Sequence, residues 1–330
     1  MSDVNESASL REAAAFVKDR DRFLISTHVN PDGDGIGAVM ALKWAALALG
    51  KQAEIVIDSK PPETFEFFTD YEWIRQSGAQ TEGTEKFSSV IAADAPNTER
   101  LGSAASLIAE SAAILNIDHH VSNERFGVVN YIDPDASSSS EMVHRLIKEL
   151  GLEISPACAE YIYSGILTDT GRFRFSNTSP SALRSAAELV EAGARPHKVA
   201  ERMYHYNTEE TTRALGRLIN SIQLYSNGKV ATSQFELEYI KSEAWKRVET
   251  EGFVNYPLSI RGVEVAMLLR EVEPGVTRAS LRAKNAFDVN DLVMIFGGGG
   301  HSKAAGCTIK APLEKAKAAL LDEIGKKRIS

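Results

Sequence analysis

Short apolar runs that end in polar turns recur along the first half of the chain. Phe23-Leu24-Ile25, Ala53 to Ile57, Ser88 to Ala93 and Ala112 to Ile117 each have the length and composition of a buried strand. Stretches of helical spacing lie between them. Ser9 to Lys18 puts Leu10, Ala14 and Val17 on one face, with Ser9 placed to cap it. Ile36 to Leu42 opens a second helix, rich in small and apolar residues, that is expected to stop at Gly50. Strands alternating with helices predict an α/β fold with a doubly wound, mainly parallel sheet. In that architecture the strand ends open onto one crevice.

The pattern changes twice more. Glu141 to Leu150, Pro156 to Leu167 and Ser181 to Val190 have helical spacing, and Thr168-Asp169-Thr170-Gly171 is read as breaking the second of these. Ser137 to Ser140 reads as a loop capping the next helix. Pro196 to Arg217 is polar and helical in period, a bridge between domains. From about Ser221 the texture becomes that of a smaller α+β domain: a hairpin from Ile222 to Phe235 turning at Asn227-Gly228, strands over Val263–Arg270 and Thr277–Ala283, and a closing helix from Leu313 to Ile324. The expected division is a catalytic domain over 1–193, a helical linker over 194–217 and a substrate-binding domain over 218–330.

Composition narrows the function classes. A chain of 330 residues, 43% hydrophobic and 25% charged, has room for two cores. No apolar run approaches a membrane span, the N-terminus resembles no export signal, and two cysteines make no disulfide framework, so the expected compartment is the cytoplasm and no membrane partner is expected. A net charge of -8 without a long basic run argues against tight binding to long duplex nucleic acid. A small phosphorylated substrate remains compatible, because metal ions can supply the missing positive charge.

The chemistry-bearing residues sit at element ends. His28-Val29-Asn30-Pro31-Asp32-Gly33-Asp34 follows the first strand, Asp94 the third, and Asp118-His119-His120 the fourth, while Asp169 follows a helix. Taken alone, the Pro-Asp-Gly-Asp stretch is also what a tight turn prefers, and Asp94 is also what caps a helix. Paired histidines after an acid at a strand end are harder to attribute to folding. Together His28, Asp32, Asp34, Asp94, His119 and Asp169 form a mixed carboxylate and imidazole set suited to Mn²⁺, Fe²⁺ or Zn²⁺, with Mg²⁺ less typical. In the second half, Gly297 to Gly300 followed by His301 offers close backbone approach to an anion, and lacks the Gly-Lys-Ser/Thr of a P-loop. Arg282, ending a strand, reads equally as a phosphate contact or a surface arginine.

In this order, the His28–Asp34 stretch, Asp94, Asp118-His119-His120 and Thr168-Asp169-Thr170-Gly171 resemble the four motifs of the DHH phosphoesterase superfamily. Gly298-Gly299-Gly300-His301 with Ala304-Ala305-Gly306 resembles the glycine-histidine motif of the DHHA1 domain. The resemblance runs from about residue 20 to 310 and is greatest to the stand-alone nano-RNase type, described as bifunctional oligoribonuclease and pAp phosphatase, pAp being 3′-phosphoadenosine 5′-phosphate. It implies two Mn²⁺ ions, with Mg²⁺ or another divalent metal admissible. His28, Asp32 and Asp94 would hold the first ion, and Asp34, Asp94, His119 and Asp169 the second, with Asp94 bridging. Asp34, Asp94 and His120 would be the catalytic groups, His120 facing the scissile phosphate. His120, Arg282, Gly298, Gly299, Gly300 and His301 would hold the substrate in a cleft between the two domains. The implied reaction is metal-assisted hydrolysis of short 5′-phosphorylated oligoribonucleotides to mononucleotides, and of pAp to AMP. Linear or cyclic dinucleotides, inorganic polyphosphate, or nucleotide binding without turnover are the competing readings, and a homodimer is compatible with all of them.

Overall fold

The computed structural model describes residues 2–78, 85–204, 206–248, 250 and 252–327, excepting the side chains of residues 2–8 and 301. The chain separates into two compact units, Met1–His205 and Tyr206–Ser330. The division falls inside the stretch read from the sequence as a linker.

The first unit is built on a six-stranded sheet of β1 (Arg22–Ser26), β2 (Gln52–Ile57), β3 (Ile74–Gln76), β4 (Phe87–Ala93), β5 (Ile108–Asp118) and β6 (Val129–Ile132), in the order β3-β2-β1-β4-β5-β6. Every pairing is parallel. Successive β1 side chains therefore enter opposite layers: Phe23 and Ile25 pack with one apolar cluster and Leu24 with another, alongside Val56 and Val90. The strand order reverses between β1 and β4, and at such a switch point the loops beyond the two strands diverge and leave a crevice.

Helices α1 (Ser2–Lys18), α2 (Gly33–Ala48), α3 (Ser139–Glu149), α4 (Pro156–Asp169), α5 (Pro180–Glu191) and α6 (Pro196–Tyr204) complete the unit. Helix α2 is apolar nearly all round because it is buried against the sheet and against α4. Glycine permits that crossing: a Cβ on Gly37 would sit 2.4 Å from the Tyr161 carbonyl oxygen, and one on Gly165 2.0 Å from Ser140 Oγ. Several sequence expectations shift here. Helix α1 begins at Ser2 and runs through Ser9, and α4 continues through Thr168 and ends at Asp169. Asp94 caps no helix either, since Asn97 caps the turn that follows it. Short β3 and β6 went unpredicted because three or four residues carry little periodicity of their own.

The second unit has a mixed sheet in the order β11-β12-β10-β9-β8-β7. Its strands are β7 (Gln223–Tyr225), β8 (Val230–Phe235), β9 (Val265–Glu273), β10 (Val276–Ala283), β11 (Gly299–His301) and β12 (Ala304–Ile309). Among the described residues of this sheet, only β8 and β9 pair in parallel. Helices α7 (Glu209–Asn220), α8 (Leu237–Ile240), α9 (Asn255–Ser259), α10 (Asn290–Met294) and α11 (Leu313–Lys326) accompany it. Its main core joins Val265, Met267 and Leu281 to Leu320 and Ile324. Strand β12 was missed because its Ala-Ala-Gly-Cys sequence is poor in strand formers; the ladder to β10 supplies the order.

Candidate metal centre and active site

The crevice at the switch point collects the predicted ligands. Asp32 is the N-cap of α2, its carboxylate accepting from Asp34 N at 2.9 Å and Gly35 N at 3.3 Å. Asp34, in the first turn of α2, is fully buried. Its two oxygens accept from the first backbone amides of α3: Ser139 N at 2.6 Å to Oδ2 and Ser140 N at 2.8 Å to Oδ1. These are amides that a helix leaves without an internal partner, and a carboxylate there also meets the positive end of the helix dipole. Each such charge-assisted bond is worth about 1.5–3 kcal/mol.

Asp94 lies just past β4 in a left-handed conformation, φ 55°. Its carboxylate divides between two sets of neighbours. Oδ2 is 3.4 Å from His28 Nε2, while Oδ1 is 3.7 Å from His119 Nε2 and 3.6 Å from His120 Nδ1. His28 Nε2 is also 3.9 Å from Asp32 Oδ1. His119 Nε2 is 3.0 Å from Asp169 Oδ2 and 3.9 Å from Asp34 Oδ2. Among the described residues, ligand atoms of His28, Asp32 and Asp94, of Asp34, His119 and Asp169, and of Asp94, His119 and His120 form groups within 4.8 Å of one another. All six predicted ligands are therefore brought together, with His120 beside them.

Burial and crowding perturb these groups. Burial pushes the Asp34 carboxyl well up, and the charges of Asp94 and Asp169 add to it. Asp169 is raised chiefly by burial, against the pull of His119. Burial opposes ionisation of Asp94, yet His28, with His119 and His120, holds it far below the usual carboxylate range. His28 and His119 lose to burial but gain more from their carboxylates, so both are raised well above the ordinary imidazole value. Buried carboxylates that raise one another are a site short of positive charge, which a divalent cation supplies. The donor set fits that role. Oxygen and imidazole ligands converge, and His28 Nδ1 lies 2.9 Å from the Val29 carbonyl, the outer-shell bond that directs Nε2 inward. Thr27 Oγ1, buried at the same turn, has no hydrogen-bond partner among the described residues.

The sequence left Asp118 without a role. It is fully buried, and its Oδ1 accepts from His119 N at 2.9 Å and pairs with His120 Nδ1 at 2.6 Å. Ser139 was also missed: besides its amide bond to Asp34, its hydroxyl donates to Asp94 Oδ1 at 3.1 Å. The serine run signalled a cap, and Ser138 does cap α3. That its neighbours serve Asp34, far away in sequence, is a tertiary fact. His144, in α3, lies buried 3.5 Å from Glu188.

In the second unit Arg282 stands in register with Ala304 and donates to the Leu281 carbonyl at 3.0 Å. Strand β11 is the glycine run. A Cβ on Gly300 would sit 2.5 Å from the Ala304 carbonyl oxygen, and one on Gly298 2.3 Å from that of Gly306. Close approach of β12 thus explains those two glycines. Gly299 is exposed and faces open space. The side chain of His301 lies outside the described residues.

The family described as "DHH family, N-terminal domain" matches residues 22–166, and "DHHA1 domain" matches residues 227–327. The "Bifunctional oligoribonuclease and PAP phosphatase NrnA" of Thermus thermophilus is 32% identical over 286 residues, covering 87% of this chain and 83% of its own. The protein of the same name from Bacillus subtilis is 26% identical, covering 88% and 90%. The crystal structure of an exopolyphosphatase-related protein from Bacteroides fragilis superposes with a TM-score of 0.90 at 26% identity, covering 97% and 96%. The chain belongs to the DHH phosphoesterase family, with a DHHA1 domain following its DHH domain.

Proposed function

We propose that this protein is a metal-dependent phosphodiesterase and phosphatase that hydrolyses short 5′-phosphorylated oligoribonucleotides to mononucleotides and pAp to AMP. The observation that carries this reading is the division of the Asp94 carboxylate between two groups of ligands, His28 with Asp32 and His119 with Asp34 and Asp169. Those groups would hold two ions sharing Asp94, with Mn²⁺ the proposed metal. When bound, the ions supply Lewis acidity to water and to the phosphoryl oxygens.

The chain's own groups do the rest. The α3 amides and Asp32's cap bonds fix the carboxylates before substrate arrives, so little reorganisation is needed. Asp118 holds His120 by Nδ1, and the ring is proposed to face the scissile phosphate. His120 is raised above the ordinary imidazole value: burial opposes this, and the bond to Asp118 and the charge of Asp94 outweigh it. It is assigned to donate to a phosphoryl oxygen and offset the charge gathering there. Arg282, His301 and the backbone of Gly298 to Gly300 are assigned to the substrate's other phosphate or terminal group. Among the described residues no helix is long and apolar enough to cross a membrane; the proposed setting is the cytoplasm.

The names of the Thermus and Bacillus relatives support the substrates. Chelation followed by Mn²⁺ add-back, on 5′-phosphorylated di- to pentanucleotides and pAp, tests the whole reading. Full turnover by metal-free protein, or no turnover of any of these on add-back, sinks it. The name of the Bacteroides neighbour favours one second reading, cleavage of inorganic polyphosphate, and a polyphosphate arm in the same assay separates the two.

A further inference from the structure

The carboxamide of Asn123 stands at the junction of two features that the proposed reaction needs. One is the ring of His120. Asp118 binds His120 Nδ1 through Oδ1, and its other oxygen, Oδ2, accepts from Asn123 Nδ2 at 2.6 Å. The second feature is the left-handed turn at Asp94. Non-glycine residues enter that conformation at a cost and keep it where neighbours over-determine it. Here the Ala95 carbonyl, one residue on, accepts from Asn123 Nδ2 at 3.3 Å and from Asn116 Nδ2 at 3.1 Å. Asn116 also donates to Ala92 O at 3.3 Å, so it spans the whole end of β4.

The polarity of this network is fixed. Asn116 is buried and gives its amide protons to carbonyls, so its oxygen must accept, and it does so from Asn123 Nδ2 at 2.8 Å. Asn123 Nδ2 therefore faces three acceptors: a carboxylate, an amide oxygen and a backbone carbonyl. Its own oxygen accepts from Arg125 N at 2.7 Å, which holds the loop. An isosteric carboxylate at 123 would keep that loop bond and turn an acceptor towards every other partner.

We propose that Asn123 is a positioning residue for phosphoester hydrolysis, fixing the His120 ring through Asp118 and the Asp94 turn through Ala95. This rests on the function proposed above. Asn123 touches no substrate; it acts through its neighbours.

The test uses the whole chain and compares Asn123→Asp and Asn123→Ala with Asn130→Ala, a control in β6 whose carboxamide bonds Gly127 and none of the groups above. With Mn²⁺ and an oligonucleotide substrate, both Asn123 variants should lose about 10–100-fold in kcat with KM unchanged, as outer-shell changes do, and Asn123→Asp should be the worse. Asn130→Ala should keep its kcat. Nitrogen-15 NMR of the His120 ring, in metal-free protein at a pH where the ring is neutral, should show one Nδ1–H tautomer in the wild type and a mixture in Asn123→Asp. A wild-type kcat in Asn123→Asp, or an unmixed Nδ1–H ring in that variant, overturns the proposal. The ring measurement needs no substrate. Failure of the wild type to cleave any phosphoester would therefore count against the proposed function, while the tautomer still decides the positioning role.

Discussion

The crevice of the first unit and the glycine hairpin of the second carry the same kind of claim and differ in how their polar groups are held. Asp34 has no exposure and each oxygen takes a backbone amide; Asp94 is 2% exposed and meets three histidines. In the hairpin Gly299 and Gly300 are exposed, and two of the glycines are explained by strand packing. The first region must be complete before substrate arrives, because buried like charges are stable only with partners or cations in place. The second is expected to be completed by its ligand. Chemistry is thus assigned to the region that is over-determined, and recognition to the one that is open.

The largest effect should come from the crevice. Asp94→Ala removes the group shared by both ligand sets, and its loss of activity should exceed the roughly 100-fold of an outer-shell change. Mn²⁺ binding by calorimetry should fall in parallel. Retained turnover in that variant would break the comparison at its root. Next in size is Gly165→Ala. The added methyl group would sit 2.0 Å from Ser140 Oγ and 2.9 Å from Asp34 Oδ1, where no flexible side-chain end can yield. Overpacking of this kind costs about 1–3 kcal/mol, so a lower unfolding midpoint with weakened metal affinity is expected. A midpoint like the wild type's would show that α3 is not pinned to α2.

The hairpin should answer differently. Gly299→Ala meets nothing within 4 Å and should leave stability within about 0.5 kcal/mol. Any effect should appear in KM, because the new methyl group would stand between backbone and anion. Arg282→Ala should likewise raise KM for 5′-phosphorylated substrates about tenfold, a phosphate contact's worth, with a smaller change in kcat. Unchanged KM in both variants would remove the second unit from substrate binding.

These two regions were also unequally legible in the sequence. The fold class followed from alternating strands and helices, and the six candidate ligands from acidic and histidine residues at element ends. Those signals are local, and the switch point between β1 and β4 is what brings them together. What supports them was hidden. Asp118 was visible as an acid before two histidines, but its burial and its bonds to His120 and Asn123 are set by the folded loop. Ser139 and Ser140 looked like capping serines, and their bonds to Asp34 cross 105 and 106 residues. The glycine run was legible as a place of close approach. The sequence did not say that the nearest thing approached is β12.

The smallest expected effect concerns pH. In the metal-free protein His28, His119 and His120 are raised above the ordinary 6.5, burial opposing and their carboxylate partners prevailing. Stability from such groups is present in full below 6.5 and is lost as pH rises through their folded values. Asp34 and Asp169, raised above 3.8 by burial, have the same sign, because ionising them costs more in the fold than in the unfolded chain. Asp32 and Asp94, held low against burial by His28, have the opposite sign, but their contribution is complete above about pH 5. Between about pH 6 and pH 8 the metal-free unfolding midpoint should therefore fall. Metal binding requires deprotonated ligands and tightens over the same range. The difference in midpoint between Mn²⁺-loaded and metal-free protein should widen with pH in the wild type, and widen less in a His119→Gln variant. A difference that stays flat in the wild type would mean that the histidines of the crevice are not ligands, and the contrast between a completed site and an open one would then rest on the carboxylates alone.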